Sequence, residues 1–382
     1  MIKKHYLFSP GPTPVPEKVL AVAAEPLIHH RTPEFSKILM EVTEGLQYVF
    51  GTKEDVFVLT SSGTGAMEAA VVNTLCAGDG VISINAGKFG ERWGHICRAY
   101  GVEVKEIILE WGEDFSPDRL EAELKAKPRT KAVFATLCET STGAVYDIQG
   151  YGEVVDRKEA ILVVDGISGV GAVPCPMDDW KVDVLISSSQ KSFMIPPGLA
   201  YIAFSPKAWN FVRTSTLPNF YFDAAKADHN LNKQTTPWTP AISLVVQQRK
   251  SLEILKSIGL EKFHEHHRIL AEATRAGVAA LKLNLLAKRP GNILSAVKVP
   301  PGVDGETLVK VMQNKYRTYI AGAQDPHKGK FLRIAHLGYT GGFDIITALT
   351  ALEMALNDLG YNTFENGGSV RAAKTILKEY WI

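Results

Sequence analysis

The chain has 382 residues, 46% hydrophobic and 22% charged, the composition of a globular protein long enough for one large domain and a smaller one. Its 42 basic and 41 acidic residues leave a net charge of +1, so it lacks the electrostatic footprint by which nucleic acids or anionic membranes are bound. Cys76, Cys97, Cys138 and Cys175 are widely spaced, with no CxxC pair and no histidine at ligand spacing, which argues against a metal site or disulfide framework.

The N-terminal MIKKHYLFSPGPTPVP has lysines but no apolar core before its prolines, and no apolar run in the chain is long enough to span a bilayer. A cytoplasmic protein is expected. Residues 1–33, rich in proline and histidine, are expected to lie across the body as an arm. Within 34–255, short apolar runs alternate with helical ones: DVFVLTSS then GAMEAAVVNTLCAG, GVISINAG then ERWGHICRAYG, VKEIILE then SPDRLEAELKAK. KAVFATLCET, AILVVDGIS, DVLISSSQ and LAYIAFSP continue the series. Strands that alternate with helices in this way predict an α/β domain with a mainly parallel sheet covered on both faces. Helical signals dominate from Pro240 to about Leu286. Two strand-like runs, NILSAVKV and KFLRIAHLG, follow with GETLVKVMQNK and DIITALTALEMALNDLG, so 256–382 reads as a connecting helix and a small α+β domain.

In an open parallel sheet, ligands bind where the strands end, so the residues just after each apolar run are the candidates. After DVFVLT comes SSGTGAMEAA, small residues leading into a helix whose free N–H groups suit a phosphate; such turns also form for packing alone. After AILVV comes Asp165, either a local cap or an anion that holds a protonated ring nitrogen. After DVLIS come Gln190 and Lys191, and after KAVFATLC come Glu139 and Thr140. A lysine at the end of a buried strand is either exposed or kept for its amine, because burial is costly to its charged form. Together, an amine, an anion and a phosphate cradle fit pyridoxal phosphate, which needs a Schiff-base partner, a counter-ion for its ring nitrogen and a docked phosphate.

Through FSPGPTPVP, EGLQYVFGT, SSGTGAMEAA, ETSTGAVYDI, VVDGISGVGAVP, DVLISSSQKSFMIPPGLA and FLRIAHLG, nearly the whole chain resembles the class V (fold-type I) pyridoxal-phosphate aminotransferases of the alanine–glyoxylate and serine–pyruvate branch. The resemblance implies a Schiff base at Lys191 and a ring-nitrogen partner in Asp165. It implies a phosphate turn at Ser62, Gly63 and Thr64, further cofactor contacts from Phe89, Thr140, Ile167 and Gln190, a carboxylate clamp at Arg333 and a pocket-lining turn at Gly11. It also implies a homodimer with shared sites, in which Thr236 or Thr239 reaches the neighbouring chain's phosphate. The implied reaction is ping-pong transfer from a small amino acid, alanine or serine, to a 2-oxo acid, glyoxylate or pyruvate. For a donor with an acidic side chain, the second cation would have to come from Arg31 or Lys88. Two alternatives stand beside this reading: a cysteine desulfurase or lyase of the same fold, and a non-redox subunit of a larger complex, as in relatives named for a soluble hydrogenase.

Overall fold

The computed structural model describes residues 4–378 and 380. Its centre is a seven-stranded sheet. In chain order the elements that matter for the site are β1 (Val56–Leu59), α1 (Gly63–Thr74), β2 (Gly80–Asn85), α2 (Lys88–Ala99), β3 (Glu103–Ile108), β4 (Ala132–Thr136), β5 (Ile161–Asp165), β6 (Val184–Ser188) and β7 (Ala200–Phe204). The spatial order is β1-β7-β6-β5-β4-β2-β3, and only β7 runs antiparallel to its neighbours. Every residue of β4, β5, β6 and β7 is buried, as continuous apolar runs require when helices cover both faces. β3, at the edge, alternates exposed and half-buried positions and carries the charges that discourage pairing with another chain.

The stretch SSSQKSFMIPPG, which leaves β6, turns back into β7, so Lys191 sits in the reversal between two core strands. The turn is closed by Ser189, whose Oγ donates to the Pro196 carbonyl at 2.8 Å and accepts from the Leu199 amide at 3.2 Å. A polar residue thus stands at a strand end because its hydroxyl serves backbone groups the ladder no longer reaches.

Beyond the connecting helix α3 (Leu260–Ala280), the C-terminal lobe holds β8 (Leu294–Lys298), β9 (Ala321–Gly322), β10 (Phe331–Ala335) and α4 (Gly342–Asp358). Its sheet order is β8-β10-β9. Two strands were expected here; the third, β9, has only two residues and so shows no periodicity. A further helix covers Gly368–Leu377. The arm is anchored at two places: Tyr6–Leu7 pairs in parallel with Thr318–Tyr319 and Phe8 enters the core of the C-terminal lobe, while Val19 enters the core of the large lobe.

The side-chain period of two along β10 sorts its residues between these cores. Leu332 and Ile334 face the C-terminal lobe's own core, while Phe331 and Ala335 belong to the core of the large lobe. Arg333 lies between them on that second face, which directs it at the ends of the large sheet.

Candidate active site

The carboxyl ends of the parallel strands collect the candidates. Asp165 ends β5 and is 3% exposed; its Oδ1 accepts from the Ile167 amide at 2.8 Å, an Asx turn that fixes the carboxylate. Among the described residues nothing is bonded to Oδ2. Burial pushes the pKa of Asp165 up to about 7, and the charge of Glu139 adds to this. The Ile167 N–H, Arg92 and Lys191 oppose it.

Lys191 is 8% exposed, and the same desolvation pulls its amine down to about 8. Asp165 resists that shift, whereas Arg333 and Arg92 reinforce it. Lys191 Nζ donates to the carbonyl of Pro10, so the arm closes directly on the amine. Thr13 tightens the closure, its hydroxyl donating to the Lys191 carbonyl at 3.0 Å and its amide to the Gln190 carbonyl at 3.2 Å. Gly11 is required between them: at φ 138° it adopts a conformation side chains rarely take, and a Cβ there would lie 2.6 Å from Lys191 Cε.

At the start of α1, Ser62 occupies the N-cap position without a side-chain cap bond, and it is exposed. The Gly65 amide donates to the Ser62 carbonyl at 2.9 Å, but a serine whose side chain does not serve its own helix leaves its hydroxyl and the Gly63 and Thr64 N–H groups to an outside anion. Gly63 is needed for space as well, because a Cβ would stand 2.5 Å from Ile167 Cδ1 and 3.2 Å from Ser188 Oγ. Beside this turn, Gln190 Oε1 and Ser188 Oγ are buried without a partner among the described residues. Buried polar atoms are rarely left so unless a further group completes them.

Arg333, 7% exposed, is aimed by two carbonyls. Nε and Nη2 donate to Gly322 O at 3.1 and 2.8 Å, and Nη1 donates to Thr140 O at 3.0 Å. A guanidinium has five N–H donors, so one remains on each terminal nitrogen. No ion pair engages the group among the described residues. Burial lowers its pKa to about 10, with Glu139 opposing, so it stays charged at neutral pH. Thr140, besides orienting Arg333 through its carbonyl, shares a 2.6 Å hydroxyl contact with Ser168.

The sequence marks Glu139 only as a strand-end candidate and does not single out Arg92, Thr13 or Ser168. Glu139 is fully buried and takes the place of a capping side chain at α2, whose N-cap is Gly87. It accepts from Gly90 N at 2.9 Å, Phe89 N at 3.2 Å, Ser141 N at 3.1 Å and Ser141 Oγ at 2.5 Å. It thereby ties the loop after β4 to the loop after β2 and places Phe89. The ring of Phe89 carries Arg92, whose guanidinium carbon lies 4.9 Å from the centroid. The i, i+3 spacing of these two on α2 was the available signal.

The expected second cations are engaged elsewhere: Arg31 donates to Thr235 Oγ1 and, at 2.7 Å, to Thr236 O, while Lys88 pairs with Glu91 at 2.8 Å. Thr236 and Thr239 do not join the cluster among the described residues; they line a crevice with Phe57, Asn73 and Tyr221. Thr236 is buried, with its hydroxyl donated to Trp238 O at 2.8 Å, whereas Thr239 is exposed. Beside them stands an aromatic platform in which Phe220 and Tyr221, 69% and 46% exposed, stack with Trp238.

The sequence profile of the aminotransferase class-V family matches residues 5–317. The "Soluble hydrogenase, small subunit" of Synechococcus sp. (strain PCC 6716) is 43% identical over 99% of both chains. The "L-aspartate--glyoxylate aminotransferase" of Paracoccus denitrificans (strain Pd 1222) is 36% identical over 98% of this chain and 96% of its own length. Among solved structures, the ureidoglycine-glyoxylate aminotransferase of Bacillus subtilis superposes with a TM-score of 0.94 at 26% identity, covering 99% of each chain.

Proposed function

The chain belongs to the class V aminotransferases, whose cofactor is pyridoxal phosphate, and from that premise we propose that it moves an amino group from alanine or serine to glyoxylate or pyruvate in two half-reactions. The residues present fit the cofactor. Asp165, a buried residue, offers a carboxylate oxygen with no hydrogen bond among the described residues, Ser62 to Thr64 offer an uncapped helix start, and Gln190 and Ser188 hold buried unpartnered polar atoms. When bound, the cofactor supplies an aldehyde for amine exchange and a ring that withdraws electrons from the donor's α-carbon.

The chain's own residues do the rest. Lys191 Nζ, whose pKa burial lowers to about 8, would hold the cofactor's aldehyde and would serve as the base that carries the donor's α-proton. Asp165 would hold the cofactor's protonated ring nitrogen, whose positive charge would favour the carboxylate that burial alone disfavours. Arg333 presents its two remaining N–H groups to the donor's carboxylate. With the cofactor bound, Thr140 would serve its phenolic oxygen, and Phe89 and Ile167 would line the seat of its ring. Ser62, Gly63, Thr64 and Gln190 would hold the phosphate, joined by Thr239 of a second copy, whose exposure favours it over Thr236. The exposed aromatic platform beside Thr239 supports the homodimer this requires.

The observation that carries this reading is the convergence of Lys191, Asp165 and a charged Arg333 without an ion pair at the carboxyl ends of the central strands. A small neutral donor is favoured because Gly11 and the Pro10 carbonyl crowd the amine and because Arg31 and Lys88 are engaged elsewhere. The test is a panel of alanine, serine and aspartate against glyoxylate, pyruvate and 2-oxoglutarate. Turnover led by alanine or serine is expected; aspartate as the fastest donor would overturn the donor assignment.

The 43% identity to a protein named as a hydrogenase subunit favours a second reading, a non-redox component of a larger assembly. Transamination by the purified chain with no other polypeptide would make that assembly unnecessary for activity. The lyase reading needs an exposed, reactive thiol, whereas Cys97, Cys138 and Cys175 are buried, with their thiol pKa values raised by that burial, and the half-buried Cys76 donates its thiol to the Thr214 carbonyl at 3.4 Å.

A further inference from the structure

Arg92 is half-buried on α2 and has no carboxylate partner among the described residues, although its neighbour Glu91 pairs with Lys88. Its Nη1 donates to Thr64 Oγ1 at 2.9 Å, and its guanidinium lies against the ring of Phe89. Arginine has donors only, so the threonine oxygen must accept in this bond. The single hydroxyl proton of Thr64 is therefore left for a third group. Thr64 is the second residue of α1, whose N-cap Ser62 does not cap it, so the nearest place for an acceptor is the anion seat at the helix start.

We infer that Arg92 is a positioning residue of the phosphate cradle, fixing Thr64 as a hydroxyl donor toward a phosphate monoester and adding an uncompensated positive charge behind that bond. The inference rests on the reading of Ser62 to Thr64 as the phosphate seat. Phe89 gives the guanidinium its platform, so the ring serves both the cofactor face and the phosphate side. The charge of Arg92 also acts on Asp165 and Lys191. A lysine at 92 would keep the charge but not the planar stacking that aims Nη1.

The experiment titrates cofactor-free protein with pyridoxal phosphate and, separately, with pyridoxal, which lacks the phosphate, following the absorbance of the bound chromophore. Variants are Arg92→Met, Arg92→Lys, Thr64→Ala, Ser62→Ala and the Arg92→Met/Thr64→Ala pair. Thermal unfolding checks that each is folded. Arg92→Met should weaken pyridoxal phosphate about 10- to 100-fold, the range for loss of a charge-assisted bond, while pyridoxal changes less than about twofold. Arg92→Lys should fall between wild type and Met. In the Thr64→Ala background Arg92→Met should cost far less than it does alone, because the two act through one bond. Equal weakening of both ligands, or full additivity with Thr64→Ala, overturns the inference. An unchanged cofactor affinity with a raised KM for aspartate overturns it too, and moves Arg92 into the donor pocket. If Ser62→Ala and Thr64→Ala both leave the preference for the phosphorylated ligand intact, the cradle itself is misplaced, a failure distinct from that of Arg92.

Discussion

Replacing Arg333 by lysine keeps a positive charge and removes the geometry. The guanidinium uses three N–H groups on Gly322 O and Thr140 O, which leaves two terminal N–H groups for the donor's carboxylate. An ammonium has three donors on one atom and cannot satisfy two carbonyls and still grip a carboxylate from the side. Truncating one partner of a buried, hydrogen-bonded charge pair costs about 2–5 kcal/mol. At about 1.36 kcal/mol per tenfold, kcat/KM should fall between about 30-fold and several thousandfold. The assay compares single-turnover rates for alanine and for ethylamine, its counterpart without a carboxylate; only the alanine rate should fall.

A second signature follows from burial, which already lowers Arg333 to about 10. A lysine begins lower and meets the same desolvation, so its charged fraction is lost as pH rises through its pKa and regained as pH falls. The ratio of variant to wild-type kcat/KM for alanine should therefore increase toward lower pH. Equal damage to alanine and ethylamine, with a pH-independent ratio, would refute the clamp.

Lys191→Ala should abolish transamination while the fold persists, checked by turnover with exogenous amines excluded and by thermal unfolding. Asp165→Asn should lower kcat sharply and weaken cofactor binding, and it should also change the pH dependence of cofactor-free stability. Because the folded pKa of Asp165 is raised from 3.8 to about 7, wild type should lose stability relative to the variant as pH rises between those values, by up to about 4 kcal/mol. Denaturant titrations at pH 4 and pH 7 measure the difference, and an unchanged gap would place the raised pKa in doubt. Mixing Lys191→Ala chains with chains altered at Thr236 and Thr239 should restore activity through heterodimers carrying one intact site; a fully active monomer would exclude shared sites.

The sequence was enough for the parts of the site that are local. Strand ends are marked by where apolar runs stop, so Asp165 after AILVV and Lys191 after DVLISSSQ are legible in order, and SSGTG leading into a helix marks an anion seat. The alternation in FLRIA already separates Arg333 from Leu332 and Ile334. What the alternation does not say is which face meets which core. That depends on Phe331 and Ala335 joining the large lobe's core, and on Gly322 and Thr140 supplying carbonyls from distant segments. Likewise, Pro10 closes on Lys191, and Arg92 meets Thr64, only because packing brings segments together that share no pattern in the chain. Periodicity records the environment a side chain needs; its partner is chosen by the energy of the whole core, in which contacts far apart in sequence carry the decisive share.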